Sequence, residues 1–267
     1  MIDTRTGNVI TSHSPQAVAL YREAVDLILG SESGAAETLD KALMLDQGFA
    51  LAAAARYCVA KDVGESDAGI YRELAQRTAL HASDWEREHI DVLIGLLDEP
   101  AASLTKARAY IDLTPGDLLV VSQLSGYLFF YGGPTKLEAV LKLFESVEGA
   151  LANDWAFLAR LGFAASEAAL HKRGRDLIER AMELRPQALI PFMVWHMCFT
   201  IAEQKKSRQR CCGTGSRSTR APPARDKCTG MCNGILPWPS FRSVNMRLRC
   251  SVIWSFVLHK PQHAALS

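Results

Sequence analysis

The chain has 267 residues, of which 48% are apolar and 22% are charged, and its formal net charge is +1 at pH 7. This length supports a sizeable core in one or two domains, and these fractions exclude disordered, collagen-like and disulfide-knot proteins. The charge is distributed unevenly, because residues 201–267 carry twelve Lys and Arg against two Asp and Glu, a net of +10, which leaves −9 for the first 200 residues. Five of the seven cysteines also follow residue 200. Two chemically different sequences therefore meet near residues 190–200.

Residues 14–185 are predicted to fold as successive helices, with no room for a sheet. Ser14 is a plausible cap and Pro15 takes the first helical position, while Gly64 closes the third helix. Apolar residues at helical spacing define the others, and proline and glycine clusters separate them. After the first helix, the predicted helices are centred on residues 35–45, 49–59, 68–80, 83–98, 104–113, 118–131, 137–144, 155–170 and 175–184.

The helix ends recur at a regular interval. Leu45 and Leu113 are 68 residues apart and Leu113 and Leu184 are 71 apart, and ends at Leu80 and near Val147 divide each interval almost in half. A period of about 34 residues with two helices per period is typical of tetratricopeptide repeats. The sequence therefore predicts an all-α fold, a tetratricopeptide-like α-solenoid of stacked antiparallel helix pairs. An unrelated helical bundle is the alternative.

Residues 154–186 form the clearest single repeat. Gly162 and Ala165 are small enough to let the paired helix approach closely, and Leu158 and Leu177 are predicted to fill the remaining gap. One such pair cannot bury its apolar face alone, which is the physical reason for repetition.

Several stretches carry a resemblance to one family. They are SPQA at 14–17 leading to Tyr21 and residues 24–25, ALMLDQGFAL at 42–51, EREHI at 86–90, YIDLTPGDLL at 110–119 and YLFFYGG at 127–133. On these stretches, residues 1 to about 190 resemble the tetratricopeptide repeat protein 38 family. The resemblance implies a helical-repeat protein without an established reaction, and it supplies no catalytic residue.

The sequence of the tail indicates that its codons are translated in a shifted reading frame. In the frame that starts on the third base of each codon, residues 192–200 are compatible with H-G-L-A-H-V-F-Y, and residues 227–239 allow M-Y-G-H-V-Q-W-H-S-A-L-A. Both segments resemble later helices of the same family. We infer a frameshift of one or two nucleotides near residues 187–191, which resequencing of the locus tests. The predicted organisation is an N-terminal extension (1–13), a tetratricopeptide-like domain (14–190) and a basic, Cys/Arg-rich, disordered tail (191–267).

The tail offers two weak functional patterns. A zinc site would need four well-spaced ligands, but Cys211 and Cys212 with Cys228 and Cys232 are poorly spaced and lack a suitable histidine. The basic run over residues 205–220 could contact phosphates, yet it has no interleaved aromatic residues and no recognisable nucleic-acid module. We therefore predict that the tail has not been shaped by selection for a function, and that it contains neither a zinc site nor a nucleic-acid-binding site.

The helical part offers few residues for chemistry. His81 and His89 are eight residues apart, so they do not form a zincin motif with Glu88. His89 is predicted to pack beside Trp85 on the same helical face, and Cys58 to be a buried small residue. The aromatic residues of 127–131 are predicted to pack in the core between helix pairs, with a ligand groove as the alternative. No catalytic, cofactor-binding or metal-ligating residue is assigned, and no partner-binding residue either.

These features predict a non-enzymatic scaffold that binds a protein or peptide partner through a concave groove lined by the first helix of each pair. The alternative is a helical domain that binds a small molecule or serves an enzyme, whose His-containing C-terminal helices are lost here. The acidic balance of residues 1–200 argues against nucleic acid. The N-terminus lacks a secretory pattern and the cysteines are odd in number, so we expect a cytoplasmic protein with no membrane span and no cofactor.

Overall fold

The computed structural model describes residues 1–188 and residue 190. Within this range the chain forms ten α-helices and a short 3-10 turn. In chain order they are α1 (Pro15–Leu29), α2 (Ala35–Leu45), α3 (Ala50–Val63), α4 (Ala68–Ala79), α5 (Asp84–Asp98), α6 (Pro100–Leu113), α7 (Leu118–Tyr131), the 3-10 turn (Gly133–Thr135), α8 (Lys136–Leu151), α9 (Trp155–Glu167) and α10 (His171–Leu184). The described residues contain no β-strand beyond one isolated bridge between Ile2 and Val9.

Local signals in the sequence begin several of these helices. The Ser14 hydroxyl accepts a hydrogen bond from the Ala17 N–H (3.2 Å), with Pro15 at the first helical position. Ser83 and Glu86 cap α5 reciprocally, each side chain bonding the backbone of the other residue. Gly64, at φ 72°, ends α3 in the left-handed conformation that glycine adopts without cost.

The helices pair in chain order and the pairs stack. The strongest contacts join α1 to α2, α3 to α4, α5 to α6, α7 to α8 and α9 to α10, and each pair also contacts the next pair along the chain. Because short connections join the two helices of a pair, each pair is antiparallel. The predicted all-α, tetratricopeptide-like solenoid of stacked antiparallel helix pairs is confirmed.

The core is continuous through the stack. Helix α3 lies at its centre, and its residues 50–55 are almost completely buried, because a run of alanines lets neighbouring helices approach on nearly every side. Leu39, Phe49, Leu93, Leu124 and Phe157 are fully buried along the same core. Among the described residues, no helix combines the length and apolar character that crossing a bilayer requires.

Some predicted boundaries were wrong. Helix α3 continues to Val63 rather than ending at Val59, and α10 begins at His171 rather than near Arg175. Helix α9 ends at Glu167 rather than Leu170, because Ala169 takes a left-handed backbone at φ 64° and the Leu170 N–H turns back to the Ala165 carbonyl. The predicted disordered tail at 191–267, with its cysteines and its basic run, lies outside the described residues.

Candidate functional site

The first ten residues fold back on themselves. The Asp3 N–H donates to the Asn8 carbonyl (2.7 Å) and the Ile10 N–H to the Met1 carbonyl (2.5 Å), next to the bridge between Ile2 and Val9. The Asp3 carboxylate accepts the N–H groups of Arg5 (2.9 Å) and Thr6 (2.8 Å), which closes the turn. We call residues 1–10 the N-terminal hairpin. Its tip presents Arg5.

Arg5 lies between two carboxylates from opposite ends of the described stack. Its Nη2 donates to Asp26 Oδ1 on α1 and its Nε donates to Asp154 Oδ2, both at 2.7 Å. The other oxygen of Asp154 accepts the N–H groups of Ala156 and Phe157 and so caps α9. One guanidinium therefore joins the first helix pair to the fifth, using the fork geometry that distinguishes arginine from lysine.

Two further contacts fix the hairpin against other first helices. A Cβ added at Gly116, just before α7, would overlap the Arg5 carbonyl, so the hairpin backbone approaches the chain there more closely than any side chain permits. The Thr11 N–H donates to Glu86 Oε1 (2.8 Å), and Glu86, which is fully buried, also accepts from Ser83. The residues that hold the hairpin come from α1, α5 and the starts of α7 and α9. We call this surface the hairpin seat.

Beneath the seat is a buried polar network. His89 Nδ1 lies 2.5 Å from Asp117 Oδ2, and since the carboxylate only accepts, the Nδ1–H donates. The Tyr110 hydroxyl donates to the same oxygen (2.6 Å) and accepts from Trp85 Nε1 (3.0 Å). His89 and Asp117 are only 2% and 4% exposed. Asp117 also caps α7 through the Val120 N–H, so the network ties α5, α6 and α7 together.

The charges in this network stabilise one another. Burial disfavours the imidazolium of His89, but the charge and hydrogen bond of Asp117, with smaller effects of Asp3 and Glu86, raise the pKa of His89. Burial also disfavours the Asp117 carboxylate, yet His89 and the Tyr110 hydroxyl lower the pKa of Asp117. Burial and the neighbouring Asp117 raise the pKa of Tyr110. His89 and Asp117 therefore each favour the charged form of the other.

The seat contains space and unused hydrogen-bonding capacity. A cleft of about 390 Å³ opens between the hairpin residues Thr6 and Asn8 and the residues Trp85 and Glu88 of α5. A small cavity of about 30 Å³ lies under the hairpin and is lined by His89 and Arg22, among others. His89 Nε2 and Arg22 Nε are buried without a hydrogen-bond partner.

The network resembles a general acid–base dyad only in part. An Asp–His pair with a free Nε2 could transfer a proton. However, the hairpin covers His89, and the buried thiol of Cys58, a candidate nucleophile, accepts a hydrogen bond from Gln123 Nε2 on another part of α7. The His89–Asp117 pair therefore links α5 to α7 within the stack.

The sequence-predicted residues lie as follows. His89 packs against Trp85 with ring centroids 5.9 Å apart, so this prediction is confirmed. Cys58 is buried as predicted, and burial raises the pKa of its thiol to about 12. His81 and Glu88 are exposed, whereas His89 is buried, so the structure does not bring these three residues together in one site. Within the described residues, His, Cys, Asp and Glu form no group of three or more that could hold a metal ion.

The prediction for the aromatic residues at the end of α7 was wrong in part. Phe130 and Tyr131 are 43% and 61% exposed, whereas Phe129 is half-buried and contacts Phe163 on α9. Tyr127 and Tyr131 stack on each other at 5.2 Å between centroids. Positions 127 and 129–131 are spread around the whole circumference of the helix, so some of these aromatic residues have to face solvent near its end.

Sequence reasoning missed Arg5, Asp26 and Asp154 as partners, and it missed the link from Asp117 to His89. For Asp117 and Asp154, the sequence contains only a local signal. Asp117 and Asp154 each precede an apolar helix and cap it, which is a recognisable N-cap pattern. Their second hydrogen bonds join residues 28 and 149 positions away, and no local pattern contains that information.

Comparisons with known proteins add little. No protein-family model and no curated protein sequence matches the chain. Among solved structures, the chain is similar to YrrB, described as a TPR protein with an unusual peptide-binding site; the two are 19% identical over 66% of this chain and 90% of that one, with a TM-score of 0.35. At this level of similarity we base no argument on YrrB. The described part of the chain has tetratricopeptide-like architecture, and the resemblance to the tetratricopeptide repeat protein 38 family stays a prediction.

Proposed function

We propose that the chain is a non-enzymatic helical-repeat scaffold that binds a protein or peptide partner on the concave side lined by the first helices. The observation that supports this is the hairpin seat, where first helices and their caps hold a peptide segment through Asp26, Glu86 and Asp154. A surface that holds a segment of its own chain by backbone and side-chain contacts has the chemistry to hold a segment of another chain.

Exposed apolar residues recur at the ends of the second helices. Large apolar side chains at the ends of the second helices α2, α4, α6 and α10 are exposed: Met44, Leu45, Leu80, Leu113 and Leu184. Leucines at these recurring turns are not needed for the core. Apolar side chains of this kind are typical of protein-interaction sites where they form a contiguous patch.

The net charge of the first 200 residues favours some classes of partner over others. Residues 1–200 carry a net charge of −9, so we propose a neutral or basic protein or peptide rather than nucleic acid. We propose that the protein acts in the cytoplasm, without a membrane or a cofactor. Cys58 fits this proposal as a buried free thiol that needs no oxidising compartment.

Site-specific cross-linking tests the proposal. A photo-reactive amino acid replaces either Glu88, which is exposed at the cleft, or Lys41, which is exposed on α2. We expect a protein that is linked from position 88 and not from position 41, and that then binds the purified full chain with a measurable Kd. Equal capture from both positions, or capture without binding of the purified protein, would contradict the proposal.

The cleft of about 390 Å³ favours a second candidate, a domain that binds a small molecule. Its volume is at the lower end of the range for small-molecule sites, and its lining is more polar than is usual for them. A reproducible thermal shift with a metabolite or a metal, combined with no selective cross-linking at Glu88, would favour this function over the scaffold.

A further inference from the structure

The N-terminal hairpin is a compact element with a short connection to the rest of the chain. Its two arms bond each other at Asp3–Asn8 and Met1–Ile10. Only residues 11–13 separate it from the cap of α1. Leaving the seat would break the contacts of Arg5, the Thr11 bond to Glu86 and the bond between Arg22 and the Ile2 carbonyl, while the helix pairs stay intact.

The geometry of the seat matches an arginine side chain. Asp26 and Asp154 belong to different helix pairs and meet different nitrogen atoms of one guanidinium. A lysine has a single charged nitrogen and cannot reproduce both bonds with that geometry. The Arg5 side chain is only 19% exposed, so the two carboxylates lie where an arginine from another molecule would be well desolvated.

The hairpin does not use all that the seat offers. Beside it lies the cleft that Trp85 and Glu88 line, and beneath it His89 Nε2 and Arg22 Nε are buried without partners. Folded proteins leave few buried polar groups unpaired, because an unpaired buried polar group destabilises the fold. An occupant with further hydrogen-bonding groups at this position would pair with polar atoms that the hairpin leaves unpaired.

We propose that the seat is a binding site for an arginine-bearing turn of a partner protein, and that the N-terminal hairpin occupies it in the free protein. This inference rests on the proposed scaffold function and specifies the partner's chemistry. The partner's arginine takes the place of Arg5 between Asp26 and Asp154, and its turn extends into the cleft beside Trp85. The hairpin then competes with the partner for one surface.

Peptide binding tests the inference. The probe is a fluorescently labelled peptide of residues 1–13, and the protein is the full chain carrying Arg5→Ala. Because the wild-type hairpin blocks its own seat, we expect Arg5→Ala to bind the probe at least about tenfold more tightly than wild type does. An Arg5→Ala peptide is expected to bind this variant at least about tenfold more weakly, since the guanidinium makes the charged contacts.

The carboxylates provide the matched control. In the Arg5→Ala chain, adding Asp26→Asn and Asp154→Asn removes both charges while asparagine still caps α9, and probe binding should be lost. An Arg5→Ala chain with wild-type helix content by circular dichroism that binds no probe, or binds both peptides equally, overturns the inference.

A second variant tests the inference if the Arg5→Ala chain does not fold. A protease site inserted between His13 and Ser14 of the otherwise wild-type chain frees the hairpin after cleavage, and the labelled probe should then replace it. No exchange after complete cleavage overturns the inference. Selective cross-linking of a partner at Glu88 can persist in that case, which separates failure of this inference from failure of the scaffold function.

Discussion

The α9–α10 pair and the hairpin seat are held together in different ways. In the α9–α10 pair, a Cβ added at Gly162 would lie 2.6 Å from Ile178 Cγ1 and 3.0 Å from the Gly174 carbonyl. The two backbones therefore touch through small residues. In the seat, Arg5 of the hairpin meets the stack through the carboxylates of Asp26 and Asp154.

The difference separates permanent packing from contacts that can exchange. Close apolar packing depends on shape and fails when a single methyl group is added. Charged contacts at a partly open surface can be replaced by an equivalent group from another molecule or by water. The pair of His89 and Asp117 lies directly under the seat, but it is buried. Like the apolar packing, it is therefore a permanent contact and not one that can exchange.

The largest effect is expected from removing the carboxylate of that pair. Asp117→Ala leaves His89 and Tyr110 buried without their shared acceptor and removes the cap of α7. We expect a loss of about 3–5 kcal/mol in the free energy of unfolding, measured by urea denaturation. The control is Asp67→Ala, because Asp67 is exposed at the start of α4 and makes no capping bond. A loss below about 1 kcal/mol for Asp117→Ala would show that the pair does not link α5 to α7.

A smaller effect is expected where α9 meets α10. Gly162→Ala forces Ile178 and the Gly174 backbone to move, and such overpacking costs about 1–3 kcal/mol of stability. Gly149→Ala in α8 is the matched control, because nothing lies within 4 Å of its added Cβ and alanine favours the helix by up to about 1 kcal/mol. Equal thermal midpoints for the two variants would contradict close backbone packing at Gly162.

The fold could be predicted from the sequence because its signals are local. Ser14 and Pro15 begin α1, Gly64 ends α3, and the repeat of about 34 residues predicts the pairing. The predicted closeness at Gly162 is confirmed, yet its counterpart Gly174 was missed. Gly174 lies in the first turn of a helix whose start was predicted four residues too late, so its place opposite Ser166 could not be recognised.

The seat could not be predicted, because its partners are distant in sequence. Arg5 reads as a surface residue in an N-terminal extension, and its partner Asp154 lies 149 positions away. The net charge of −9 in the first 200 residues predicts that the surface is negatively charged, but it does not predict the position of any carboxylate. Only the stacking of the helix pairs brings Asp26 and Asp154 to one arginine.

A test confined to the seat uses the close approach at Gly116. Gly116→Ala places a Cβ against the Arg5 carbonyl and should displace the N-terminal hairpin while the helix pairs remain folded. We expect faster hydrogen exchange at the amides of Asp3 and Ile10, with little change in the thermal midpoint. Gly126→Ala in α7, whose added Cβ meets nothing within 4 Å, should leave these amides unchanged. Unchanged exchange in Gly116→Ala would show that the hairpin does not depend on this contact.

The smallest expected effect is a pH dependence that originates at His89. Its pKa is raised above the ordinary 6.5, so its contribution to stability is fully present below pH 6.5 and is lost as the pH rises through the raised value. Asp117, with its pKa lowered from 3.8, contributes above that pH and loses its contribution only in stronger acid. The pair therefore stabilises the fold most between about pH 4 and 6.5.

His89→Gln removes the titrating group and keeps an amide that can donate to Asp117. We expect the difference in thermal midpoint between wild type and His89→Gln to be largest near pH 6 and to shrink towards pH 9. Comparing the two proteins at each pH cancels the titration of every other group that they share. A difference that instead grows from pH 6 to pH 9 would mean that His89 is neutral in the folded protein throughout, because only the unfolded state would then lose a proton in this range. The short contact with Asp117 would then be a hydrogen bond between a neutral imidazole and a carboxylate, and the seat would lie over one negative charge rather than over a balanced pair.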